Sequence, residues 1–396
     1  MIKKIINFLF ASLILFLPFI FFPSQGSLGW ELPKVFFFQT TVKAIWLLFA
    51  LRLFLEKKKL KGKPLLTSSF LPFLFLLSLF LWFSFSSALG FDPHNSFNGS
   101  IWRRQGLLFW LHGTALVFLL ANKSISLNKN TLGFLVSFSA LGESLLALSQ
   151  FVRLNFLDQT IINYNGRIVG TFGQPNFLAG FLAISLPFVL LGFSQAKNSK
   201  QKTFFLATSF FSILTILLTF SQGGILALLV IGLFWLFKKS KRRIILLFFL
   251  LPLILLFPLF GKKIQETRLP VWQKAIQAIV KRPLTGYGLD NFKSALGDGV
   301  VFGTEEAQWV KTVDRTHNLF LDMALVSGVV GLLLFLALLF IVSKRLLTKD
   351  KDSHFYCLSL LAFIGYGFFN TYSLVHWFYF FLIVGLASTK MAREKT

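Results

Sequence analysis

The chain is a succession of apolar runs of ~17–25 residues divided by short polar breaks, the length a helix needs to cross a bilayer. In lipid no water satisfies backbone N–H and C=O groups, so only helices and closed barrels span. No segment alternates apolar and polar residues as outer-membrane strands do. The expected fold is therefore all-α: one integral membrane domain over 1–396, a polytopic helix bundle of about 12 transmembrane helices. Spans are read near 5–22, 35–55, 68–89, 106–121, 131–151, 176–193, 203–220, 224–237, 244–260, 317–342, 354–373 and 376–389. Charged residues make up 14% of the chain, against roughly a quarter in soluble proteins. The 53 Phe are read as lipid-facing and helix-packing mass. The first run follows Met1-Ile2-Lys3-Lys4 like a secretory leader, but it is long and has no small-x-small site before Glu31, so it is read as the first span.

Charge orients the bundle. The short breaks at 56–67, 122–130, 194–202, 238–243 and 343–353, with the two termini and Arg52, hold 25 of the 40 Lys and Arg. The opposite loops hold 14 bases but nine acids, against four acids in the first set. The positive-inside rule then places both termini in the cytoplasm. The net charge of +25 sits in loops between spans, so anionic lipid headgroups, not nucleic acid, are the expected partner. The single Cys357 excludes an intrachain disulfide and a cysteine metal cluster.

One external loop, 261–316, is out of proportion, and long loops in compact proteins usually carry function. Inside it Trp272, Ala275, Ile276 and Ile279 follow helical spacing, with Pro270 in the first turn and Pro283 as a stop. An amphipathic helix is expected, either on the membrane surface or packed on the outside of the bundle.

Four segments are unlike ordinary connectors, and all fall on the external side: Asn165 to Asn176, Ser221 to Gly224, Arg268 to Trp272, and Asp314 to Asn318. Three lead into spans whose helix N-termini face outward, with free N–H groups and the positive end of the dipole. With Arg167, Arg268 and Arg315 these ends would form an anion site, since a guanidinium fork matches phosphate oxygens. His317 can act as a general base, though a lone His at a helix start is more often a cap. His112, His94, His354 and His376 have no comparable company in the sequence. The intramembrane Lys43, Glu143 and Asp322 are expected to face the bundle interior. Asp322 lies about 140° around the helix from His317, so the two are not read as a dyad.

The chain has no Walker loop, dinucleotide fingerprint, metalloprotease His pair or clear Asp-x-Asp metal motif. An outward-facing enzyme has no ATP, so a reaction there needs an activated substrate such as a lipid-linked pyrophosphate.

At these motifs the sequence resembles the O-antigen ligase and O-antigen polymerase family. The stretches are Gly166 to Phe181 (GRIVGTFGQPNFLAGF), Thr219 to Leu229 (TFSQGGILALL), Arg268 to Phe292 (RLPVWQKAIQAIVKRPLTGYGLDNF) and His317 to Leu334 (HNLFLDMALVSGVVGLLL), in family order from residue ~90 onward. The resemblance implies a membrane-embedded, metal-independent glycosyltransferase of the helical class without cofactor, in the cytoplasmic membrane of a bacterium. Its donor would be a polyprenyl-pyrophosphate-linked glycan and its acceptor a hydroxyl of a lipid, glycan or protein. By the same resemblance Arg268 would hold the pyrophosphate and His317 activate the acceptor. Arg167, Arg315, Gln222 and Asn176 would be further pyrophosphate or glycan contacts. The family commonly has Ser-Arg-Gly where this chain has Ser221-Gln222-Gly223, so one positive charge is missing. A transporter of lipid-linked sugars is the alternative; against it, no internal repeat is evident and the polar motifs lie in external loops rather than at mid-depth.

Overall fold

The computed structural model describes residues 1–22, 28–56, 70–157, 165–238, 268–297, 301–302, 311–312, 314–350 and 352–389. The expected span at 244–260, and much of the 261–316 loop, lie outside the described residues.

The protein is an all-helical membrane bundle. Its helices are α1 (Ile2–Phe16, continued by a 3-10 turn Leu17–Phe19), α2 (Leu28–Leu55), α3 (Leu71–Ala88), α4 (Pro93–Asn98), α5 (Leu107–Ala121), α6 (Lys129–Phe156) and α7 (Pro175–Ser194). They continue with α8 (Ser199–Leu218), α9 (Gln222–Lys238), α10 (Leu269–Lys281), α11 (Phe292–Leu296), α12 (Leu319–Lys349), α13 (Ser353–Gly367) and α14 (Leu374–Ser388). A two-residue ladder pairs Val301–Phe302 with Lys311–Thr312. Among the described residues, seven helical segments are long and apolar enough to cross a membrane, and α5, α9 and α14 are shorter apolar helices.

The termini of these helices follow local chemistry. Asn128, Asn198 and Asn318 cap α6, α8 and α12 by accepting from Thr131, Gln201 and Phe320 backbone N–H groups. Pro175 and Pro270 stand in the first turns of α7 and α10, where no intrahelical N–H is needed. α7 and α14 are apolar all round and buried all round, forming the centre of the bundle. Small residues permit this density: a side chain at Gly180 would collide with His376 and Tyr366. The outer surface is apolar too, with Leu47, Phe54, Phe210 and Phe340 exposed, as lipid requires.

Three features depart from expectation. α2 begins at Leu28 rather than 35, so Glu31 and Lys34 enter the helix and are buried. Lys43 does not face the interior: it is exposed on α2, where its long stem can carry the ammonium away from the apolar surface, whereas Glu143 and Asp322 are buried as expected. The span expected over 317–342 is broken inside α12 at Gly328 (φ 68°, ψ −175°). Its freed carbonyls are taken up by other parts of the protein: Leu325 and Val326 C=O accept from Tyr287 and Gly288 N–H (both 2.9 Å), and Ser327 C=O accepts from Trp82 Nε1 (2.8 Å). Pro283 C=O in turn accepts from Val329 N–H (2.7 Å). Irregular backbone in a membrane protein survives only when it is satisfied in this way. The break thus docks segment 283–290 onto α12 and α3, and that segment ends beside the site.

Candidate anion site and its histidine

The predicted site residues stand at helix starts, and the fold gathers most of them around one turn, Phe368–Ser373, between α13 and α14. Arg167 Nε donates to Thr219 C=O (2.8 Å), just ahead of α9, and its Nη2 reaches Asn176 Oδ1 (3.4 Å) at the start of α7. In the amide orientation that satisfies its neighbours, Asn370 accepts from Gly223 N–H (3.2 Å) and donates to Phe369 C=O (3.0 Å). Any side chain at Gly223 would strike Asn370, so α9 starts directly against the turn. The Arg268 guanidinium lies over the Phe369 ring (5.7 Å), and the Trp272 ring is stacked on Phe369 (6.3 Å). Trp272 Nε1 also donates to Thr316 C=O (2.9 Å), and Asn318 Nδ2 donates to Phe368 C=O (3.3 Å). The N-termini of α7, α9, α10 and α12 therefore converge.

Among the described residues, two donors in this group are buried without an acceptor: Gln222 Nε2 and Arg268 Nη1. A buried unsatisfied donor costs about 1–3 kcal/mol, more when charged, so such atoms call for a function. Burial lowers the Arg268 pKa to about 10, which still leaves a full charge at neutral pH.

His317 adopts a left-handed backbone (φ 57°), unusual for a residue with a side chain and commonly found at functional sites. Burial pushes its pKa down to about 4; Asp314 opposes this, while Arg268, Arg103 and Arg315 reinforce it. The imidazole is therefore neutral near pH 7. Asp314 receives two hydrogen bonds on Oδ2, from Arg103 Nε (2.9 Å) and Nη2 (2.8 Å). Burial would raise the Asp314 pKa, but 43% of the side chain is open. The Arg103, His317 and Arg315 charges prevail and hold it at about 2.

The loop carrying Arg167 is fastened from below. Buried Lys34 donates to the carbonyls of Ile20 (2.8 Å), Trp30 (3.1 Å) and Thr171 (2.9 Å), while Glu143 accepts from Thr171 N–H (3.1 Å) and its hydroxyl. Three carbonyls and a nearby carboxylate compensate the buried ammonium, as a charge in the interior requires.

Arg167, Asn176, Gln222, Arg268 and His317 thus share one region. Arg315 points elsewhere: it is buried against Asp290, reaches Gln105 Oε1 (3.3 Å), and covers the Phe292 ring (4.0 Å). Its guanidinium ties together the connections flanking the site. Sequence reasoning missed Arg103, Asn370 and His376. His376 does have company: it is buried, stacked on Tyr366 (5.0 Å), capping α14 with Ser373, and its Nε2 lies 3.0 Å from Phe177 C=O. The Ser373-x-x-His376 spacing resembled a capping box and was the available signal. Nothing in the sequence marks Arg103, whose partner is 211 positions away.

The fold is thus a membrane helix bundle with a cluster of arginine and amide donors close to a histidine at one group of helix starts. Residues 207–336, about a third of the chain, match the O-antigen ligase family model. Across 240 residues the chain is 28% identical to the ComP-specific O-oligosaccharyltransferase of Acinetobacter baylyi, covering 54% of this chain and 43% of that protein. Across 128 residues it is 28% identical to a Rickettsia conorii protein provisionally named a polysaccharide ligase, covering 28% of this chain and 31% of that one. A Rickettsia felis protein of similar provisional name is 27% identical over 128 residues, with the same coverage. The chain spans less than half the length of these relatives. The match contains Gln222, Arg268, Arg315 and His317, and leaves Arg167, Asn176 and Arg103 outside.

Proposed function

We propose that the protein transfers a glycan from a polyprenyl-pyrophosphate-linked donor to an acceptor hydroxyl at the outer face of a bacterial cytoplasmic membrane, with both its termini in the cytoplasm. The observation that carries this reading is the pair of buried donors without acceptors, Arg268 Nη1 and Gln222 Nε2, converging on the turn that borders His317. Both suit phosphate oxygens, and Arg167, anchored at Thr219 beside α9, supplies a second cation where Gln222 brings none.

In the proposed reaction the acceptor oxygen attacks the anomeric carbon of the donor. The bond from that carbon to the phosphate oxygen breaks, and the electron pair leaves with the pyrophosphate. Arg268 and Arg167 stabilise the growing charge on the leaving group, an effect strongest in the transition state. Neutral His317 takes the hydroxyl proton, which requires the unprotonated imidazole that its surroundings favour. One relative's name specifies ComP and the others' names a polysaccharide without stating an acceptor, so lipid, glycan and protein acceptors all belong in the assay.

The test is glycan transfer by purified protein from a polyprenyl-pyrophosphate-linked oligosaccharide. Folded His317→Ala and Arg268→Ala variants are expected to lose on the order of 10²–10³-fold in kcat/KM. Translocation of the donor across vesicles without transfer would reverse the reading in favour of a transporter.

A further inference from the structure

The site residues named so far account for the leaving group and the proton, but not for the half-buried ion pair at its edge. Arg103 is 7% exposed, sits over the Phe177 ring (4.9 Å) at the start of α7, and donates from both Nε and Nη2 to Asp314 Oδ2. It belongs to the turn 101–105 between α4 and α5, so the pair joins two connections 211 residues apart. Asp314 opens the short segment Asp314–Asn318 that delivers His317 in its left-handed conformation.

The rest of that segment is fixed at other points. Thr316 N–H and hydroxyl donate to Asp322 (2.9 and 2.7 Å), Thr316 C=O accepts from Trp272, and Arg315 is held by Asp290. Asp290 is itself held in a left-handed conformation (φ 59°) at the end of the docked 283–290 segment. Every residue around His317 is therefore tied to a different element. Among the described residues, the Asp314 carboxylate favours the charged imidazole, whereas Arg268 at the start of α10, Arg103 from the 101–105 turn and Arg315 from its own segment oppose it.

We propose that the Arg103–Asp314 pair is a positioning clamp for His317: it fastens the segment that presents the imidazole and holds a carboxylate three residues ahead of it. Asp314 and Arg103 are positioning residues, and their role in catalysis rests on the glycan-transfer reading above. The clamp has a signature that structural support alone would lack. Removing Asp314's charge takes away an anion that favours the imidazolium, so His317 protonates at lower pH. Removing Arg103's charge takes away one repelling cation, so His317 protonates at higher pH. The two changes act in opposite directions although they break the same ion pair.

Two readouts test this in the full-length protein. The first is the pH dependence of diethyl pyrocarbonate modification, which only a neutral imidazole undergoes, taken as the difference between each protein and its His317→Gln counterpart. The second is the acid limb of kcat/KM for glycan transfer. Relative to wild type, Arg103→Gln is expected to raise the modification midpoint by about one pH unit and Asp314→Asn to lower it. Arg103→Lys, which keeps the charge, should leave the midpoint in place, and the acid limbs should follow. Should Arg103→Gln fail to fold, Asp314→Asn and Arg103→Lys still decide the matter. Midpoints that stay put, or move the same way when either partner is neutralised, would overturn the clamp. Opposed midpoint shifts in a protein that transfers no glycan would support the clamp and overturn the proposed reaction instead.

Discussion

At the scale of single residues, His317 is kept neutral by its surroundings before any substrate arrives. Its ordinary pKa of 6.5 falls to about 4 in the fold, so between those values the unfolded chain holds a proton that the native protein does not. Stability therefore rises with pH across that window and is lost as pH drops from 6.5 toward 4. Asp314, depressed from 3.8 to about 2, loses its contribution only below that range. Thermal unfolding in detergent between pH 4 and 7 should thus show a Tm that declines toward acid, with a flatter profile in His317→Gln. A profile identical in the two proteins would contradict the burial argument. Both His317 and Arg268 could be picked out of the sequence because they stand at helix starts next to unusual polar motifs. Arg103 and Asn370 could not: their importance comes from partners that meet only after the bundle has closed.

Among the elements, α12 is the one whose sequence misleads most. Residues 319–348 are apolar enough to read as a single uninterrupted span, and Gly328 looks like one more small residue in a membrane helix. Its left-handed φ and the pressing Leu284 carbonyl make it irreplaceable on both conformational and steric grounds. Gly328→Ala should destabilise by well over ~1 kcal/mol, read as earlier thermal aggregation in detergent. Trp82→Phe keeps most of the packing but removes the donor to Ser327 C=O, and should cost about 1–3 kcal/mol. Because this break seats segment 283–290, which carries Asp290, both variants should also weaken glycan transfer; a stability loss with full activity would separate the break from the site. α10 shows the opposite case. Its bounds were legible from Pro270, the helical spacing and Pro283, but which face it buries was not. Val271, Ala275 and Ala278 pack inward while Ile276 and Val280 stay exposed, leaving an apolar face for the membrane surface beside the protein contact.

For the molecule as a whole, the decisive question is which end of the bundle faces outward. One end carries the convergent helix starts and their arginines. The other holds Lys129 between Asp350 (3.4 Å) and Asp352 (2.7 Å), with Asn7 accepting from Ser126 N–H (3.0 Å), so the first helix and the breaks at 122–130 and 343–353 share a side. Cysteines introduced at exposed Gly297 and Lys200 test the orientation, since native Cys357 is buried. An impermeant thiol reagent added to intact cells should label Gly297→Cys and spare Lys200→Cys. The reverse pattern would turn the bundle over and remove the outer-face reaction with it. The sequence by itself determined that this protein is a helical membrane bundle and where its polar motifs interrupt the helices, because lipid forces apolar runs of set length and makes every departure conspicuous. Only the tertiary structure decided which of those motifs meet, that α12 must break to seat 283–290, and that Arg315 is spent on Asp290 while Arg103 pairs with Asp314. Those outcomes depend on pairings between residues 25 (Asp290 and Arg315) to 245 (Trp82 and Ser327) positions apart, and such pairings leave no periodic trace along the chain.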